Sequence, residues 1–78
     1  MISGFLSHYD TKKRYGVIQS HNGKAEGIFH IEAVERAGIQ PKNLLPNMNL
    51  DFEPGTPLGE DPHTKVQRWI AADVRLPL

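Results

Sequence analysis

Apolar and polar residues in this chain alternate over short stretches and do not recur at helical spacing. Residues 2–9 are rich in β-branched and aromatic side chains with Gly4 among them, which predicts a first strand that bends or bulges. The charged segment 10–14 ends it, and Tyr15-Gly16-Val17-Ile18-Gln19 predicts a second strand. His21-Asn22-Gly23-Lys24 then supplies an Asn-Gly pair, expected to make a tight hairpin because both central positions tolerate positive φ. Gly27-Ile28-Phe29-His30-Ile31 reads as the third strand, with Phe29 in the core, and residues 32–37 as one helical turn stopped by Gly38.

Further along, residues 40–46 predict a loop whose leucines, Leu44 and Leu45, plug one end of a barrel. Asn49-Leu50-Asp51-Phe52-Glu53 alternates with Leu50 and Phe52 facing inward, and Pro54 is expected to end that fourth strand. Three prolines and two glycines in residues 54–62 predict an exposed, mobile loop. A last strand is expected over about residues 64–76, with Ile70, Ala72, Val74 and Leu76 on one side and Ala71, Asp73 and Arg75 on the other. Five short strands and almost no helix predict an all-β sandwich or small barrel, and five strands in this length suit a barrel with one short helical turn after the third strand. The 78 residues are read as one domain spanning 1–78, with no repeat or linker to divide them.

Composition narrows the function classes. There is no cysteine, hence no disulfide framework and no thiolate metal site, and no apolar run suits a signal segment or a membrane span, so a soluble cytoplasmic protein without a membrane partner is expected. Nine basic residues balance nine acidic ones, which argues against indiscriminate electrostatic binding. Their distribution is uneven. Residues 7–24 hold Lys12, Lys13, Arg14 and Lys24 against Asp10 alone, whereas residues 47–62 hold Asp51, Glu53, Glu60 and Asp61 and no base. His8, His21, His30 and His63 show no close metal-ligand spacing, and Ser3, Ser7 and Ser20 sit in no nucleophile elbow or phosphate loop. Glu32 and Glu35, on one helical turn, are read as facing water. The expectation is therefore a binding protein, not an enzyme, with no metal and no small-molecule cofactor.

Three stretches resemble the bacterial cold-shock proteins and the related cold-shock domains, over nearly the whole chain. Lys13-Arg14-Tyr15-Gly16-Val17-Ile18 is similar to the family's Lys-Gly-aromatic-Gly-aromatic-Ile motif. The stretch from Ile28-Phe29-His30-Ile31 to Gly38 resembles the second family motif, and Ala71-Ala72-Asp73-Val74 the closing Ala-Ala-Asn-Val. The resemblance implies a five-stranded antiparallel OB-fold barrel that binds single-stranded RNA or DNA, as an RNA chaperone or expression regulator. Bases would stack on flat side chains and phosphates would meet nearby cations.

Alternation places Tyr15 and Val17 on one face of the second strand, and Ile28 and His30 on the matching face of the third. With the resemblance, the nucleic-acid-binding residues are His8, Lys13, Arg14, Tyr15, Val17, Ile28 and His30, and Gly16 would let a base or backbone approach closely. Parity alone groups His8 with Leu6, so only a bend at Ser7 would bring it out. His8 stands where the family usually has Trp, Val17 and Ile28 where it has Phe, and Arg14 where it has Gly, which predicts weak or altered binding. Trp69 stands in place of a proline and is read as covering the barrel mouth. The alternative reading is a cold-shock-like barrel of weak or no nucleic-acid affinity that works through a protein partner.

Overall fold

The computed structural model describes residues 1–77; Leu78, the last residue of the span read as one domain, lies outside them. Five strands are present: β1 (Ile2–Asp10), β2 (Tyr15–Ser20), β3 (Ala25–His30), β4 (Asn49–Glu60) and β5 (Gln67–Arg75). A short helix α1 (Ile31–Arg36) and a 3-10 turn (Pro41–Asn43) lie between β3 and β4. The strands close into a barrel in the order β1-β2-β3-β5-β4. All pairings are antiparallel except β3 with β5, where Gly27 lies beside Trp69 and Ile28 beside Ile70 in a parallel ladder. A parallel pair needs a long crossover. Here α1, the 3-10 turn and β4 supply it.

The barrel is filled from every strand. Leu6, Ile18, Phe29, Leu50, Phe52 and Val74 are buried together, and Val34 and Ile39 close one end from the helix side. Gly16 is buried as well, and a Cβ on it would come within 2.4 Å of the Phe29 ring. The expectation that Gly16 admits a ligand is thus corrected: its missing side chain makes room for a core phenylalanine on the inner face.

Two bulges set the shape of the outer surface. In β1, Leu6 pairs with Ile18 and His8 with Val17, so Ser7 is one residue extra. In β5, Asp73 pairs with Glu53 and Ala71 with Pro54, so Ala72 is extra. An added residue reverses the alternation beyond it. For that reason Ala71 and Val74 are both buried while Ile70 is 46% exposed, and the expected grouping of Ile70, Ala72 and Val74 on one side of the strand is corrected. Its start and end also retreat to Gln67 and Arg75.

Three other expectations are corrected. Pro54 does not end β4, which runs on to Glu60 through most of the supposed loop; the pairing with β5 slips between Glu53 and Pro54, Pro54 and Pro57, and Pro57 and Gly59. Prolines are tolerated where the ladder is already interrupted. Leu44 packs against the core, but Leu45 is 62% exposed and plugs nothing. In the β2–β3 turn only Gly23 has positive φ, +73°. Asn22 acts through its side chain, whose Oδ1 accepts from the Ser20 hydroxyl (2.7 Å) and the Lys24 N–H (2.9 Å). Trp69 is half-buried and packs against the core.

Candidate nucleic-acid interface

The outward residues of β1, β2 and β3 line up in transverse rows because the strands pair in register between the bulges. One row is Asp10, Tyr15 and His30. The next is His8, Val17, Ile28 and, across the parallel closure, Ile70. A third is Phe5, Gln19, Glu26 and Arg68. Adjacent strands lie ~4.8 Å apart, so the four residues of the middle row span about 14 Å. Both bulges serve this row. Ser7 turns His8 outward at one end, and Ala72 turns Ile70 outward at the other.

The bend at Ser7 that His8 required is therefore present. His8 is exposed and its ring lies 6.1 Å from that of Tyr15, tilted by 58°. This separation is within the range of interacting aromatic pairs. Val17 and Ile28, half-buried, continue an apolar strip beside the two rings. His30 is exposed and caps α1: its Nδ1 accepts from the Glu32 N–H at 3.3 Å, so in the neutral ring the proton sits on Nε2. The Glu32 carboxylate lies 3.9 Å from the same nitrogen.

Lys13 and Arg14 belong to the turn that joins β1 to β2, at the Tyr15 end of the face. Asp10 organises this turn. Its Oδ1 accepts from the N–H groups of Lys12 (2.9 Å) and Lys13 (3.0 Å). The Lys13 N–H chiefly holds the Asp10 carboxyl below the usual aspartate range; desolvation opposes it, and the Lys12 N–H and the charges of Lys13 and His8 add to the lowering. Arg14 adopts φ +59°, the left-handed region, with its N–H on the Asp10 carbonyl (2.8 Å) and its carbonyl accepting from the Ile31 N–H (2.9 Å). A left-handed conformation costs a non-glycine residue roughly 1–2 kcal/mol. Arg14 thus keeps an exposed side chain at a position whose backbone favours glycine.

The structure brings His8, Tyr15, Val17, Ile28 and His30 onto one face, with Lys13 and Arg14 on the adjoining turn. Sequence reasoning missed Ile70 and Phe5. Phe5 could have been found, because the parity that buries Gly4 and Leu6 turns it outward. Ile70 gave no such signal, since its direction depends on the bulge at Ala72. An open pocket of about 300 Å³ adjoins His8, lined by Leu6, Ser7, Tyr9, Leu44 and Pro46. Among the described residues no group of three or more His, Asp or Glu side chains could hold a metal, and no helix is long and apolar enough to cross a membrane.

No protein-family model matches the chain, and no solved structure matches it significantly. The chain is 34% identical over 53 residues to "Probable cold shock protein y4cH" of Sinorhizobium fredii (strain NBRC 101917 / NGR234), an alignment that covers 68% of this chain and 74% of that protein. A five-stranded barrel with a short helix after β3, and an identity of this extent, lead to one conclusion: the chain belongs to the cold-shock protein family.

Proposed function

We propose that this protein binds single-stranded RNA or DNA across the outer face of β1, β2 and β3, in the cytoplasm, as an RNA chaperone or regulator of expression. The observation that carries the proposal is the β1 bulge. It takes His8 out of the barrel's inner parity and sets it 6.1 Å from Tyr15, at the head of an apolar row and next to exposed Lys13 and Arg14. Unstacked bases offer π-faces to such rings whatever their identity, and their phosphates offer charge to the adjoining cations. Histidine and two aliphatic side chains give less stacking area than three large aromatics, so the affinity is expected to be modest. The reading is of a binding protein, without catalysis or cofactor.

Fluorescence anisotropy of labelled pyrimidine-rich RNA and DNA oligonucleotides at low salt tests it. Saturable binding should weaken roughly 5- to 100-fold in Tyr15→Ala, the range set by ~1–3 kcal/mol per stacked base. Wild-type protein with a native spectrum that binds neither strand would overturn the proposal. It would favour instead a partner protein on the Val17, Ile28 and Ile70 strip, where Ile70 is 46% exposed.

A further inference from the structure

The outer face carries a second aromatic pair that the reading above does not use. Phe5 and His21 lie with ring centroids 6.0 Å apart and planes 37° from parallel; Phe5 stands one row beyond His8 and two rows beyond Tyr15. Phe5 projects outward from β1 between buried Gly4 and Leu6. It does not take part in the core packing that Ile2, Tyr9 and Trp69 join. Its lateral neighbours are Gln19 on β2 and Asn49 on β4, both polar. A half-buried phenylalanine with polar neighbours and a histidine ring alongside is a flat apolar surface without an occupant inside the molecule.

The turn that carries His21 is held in place. The His21 N–H donates to the Ser3 carbonyl (3.2 Å), and the buried Ser20 hydroxyl ties the turn together through Asn22 and the Ala25 N–H (3.0 Å). The surrounding charge suits an anionic strand. Lys24 is exposed in the same turn. The Glu26 carboxylate, the acid in the nearest row, is met by Arg68 Nε at 3.3 Å, and the Arg68 side chain is still 49% exposed, leaving guanidinium donors for a phosphate.

We propose that Phe5 and His21 form a second stacking platform for the same single strand of nucleic acid, with Lys24 and Arg68 as its phosphate contacts. The inference rests on the reading of the His8–Tyr15 end. From Tyr15 to Gln19, the partner of Phe5, β2 rises about 13 Å, which is roughly four stacked nucleotide steps at ~3.4 Å. A strand engaged at the first platform reaches the second without leaving the face, and Gln19, beside Phe5 in the same row, is placed to meet a base edge.

The test compares labelled oligothymidylates of about two and about nine nucleotides, too short and long enough respectively to bridge the platforms. In the double variant Phe5→Leu, His21→Ala the affinity for the long strand should fall about tenfold while that for the short strand stays at the wild-type value. Phe5→Tyr, which keeps the ring, should retain tight binding of the long strand. Far-UV circular dichroism confirms that the variants are folded. Long-strand binding by the folded double variant at the wild-type level would overturn the second platform and leave the first intact. If the wild-type protein bound neither strand, the first reading would fail and the second with it.

Discussion

The turn over residues 10–14 and the turn over residues 61–65 close in the same way. Asp10 Oδ1 accepts from the N–H groups two and three residues on, and so does Asp61 Oδ1, from His63 (2.8 Å) and Thr64 (3.2 Å). The Arg14 N–H returns to the Asp10 carbonyl at 2.8 Å, and the Lys65 N–H to the Asp61 carbonyl at 2.8 Å. Each turn ends on a basic residue in the left-handed region, Arg14 at φ +59° and Lys65 at φ +64°. Their surroundings differ. The first turn adjoins Tyr15, is bonded to the start of α1 through the Arg14 carbonyl, and presents Lys12, Lys13 and Arg14 to solvent. The second sits at the tip of the β4–β5 ribbon, with Glu60 beside it. Aspartate at the first position and the chain's own hydrogen bonds determine the turn. The barrel determines whether its cations lie beside stacking rings.

The largest expected difference between the turns is in binding. Changing Lys13 and Arg14 together to Gln should lower affinity for single-stranded RNA or DNA about tenfold at low salt and flatten the log–log salt slope by about 1.4, as the loss of two phosphate contacts requires. The same exchange at His63 and Lys65 should leave both quantities unchanged. Equal losses at the two turns, read from anisotropy titrations across a salt series, would mean that the positive charge acts without regard to position.

A smaller effect separates strain from charge. Glycine relieves the left-handed penalty of roughly 1–2 kcal/mol but makes the unfolded chain freer by about 0.5–1 kcal/mol. Arg14→Gly and Lys65→Gly should therefore each stabilise the barrel by up to about 1 kcal/mol in urea unfolding. Only Arg14→Gly should also weaken nucleic-acid binding. That combination would identify Arg14 as strain kept at a functional site, where its side chain serves binding at the expense of stability. If Arg14→Gly bound as tightly as wild type, the guanidinium would have no part in the interface.

Such distinctions were only partly visible in the sequence. Strands without bulges were legible: alternation placed Tyr15, Val17, Ile28 and His30 outward and Leu50 and Phe52 inward, as observed. Alternation fails where one strand carries a residue its partner does not match. Ser7 and Ala72 are such residues, and nothing in their own identity marks them, because a bulge is a property of two strands in register. His8 could thus be placed only conditionally, and Ile70 was grouped with Val74, from which the bulge separates it. The prolines of β4 misled for a related reason, since Pro54 and Pro57 read as chain breakers until the slipped pairing with β5 leaves their missing N–H groups without consequence. The left-handed backbone of Arg14 was signalled only by the family resemblance, which has Gly at this position, and not by the arginine itself. The Asp10 bonds that impose it lie four residues away.

The least expected difference between the two turns is in acid. Both aspartates are held below the usual carboxyl range by backbone donors, Asp10 first by the Lys13 N–H and Asp61 first by the His63 N–H. A carboxyl whose folded pKa is depressed contributes stability above its unfolded value, near 3.9 for aspartate, and that contribution is lost as pH falls from about there through the folded value. Asp10→Asn and Asp61→Asn should each lower stability at neutral pH, and each should make the remaining loss between about pH 4 and pH 2 shallower than in wild type, by similar amounts. Urea midpoints at a series of pH values measure both slopes. Similar slopes would show that the hydrogen-bonded turn sets the acid response in each place. A much larger change for Asp10→Asn would show that the charges of Lys13 and His8 act on Asp10 more strongly than the charge of Arg68 acts on Asp61.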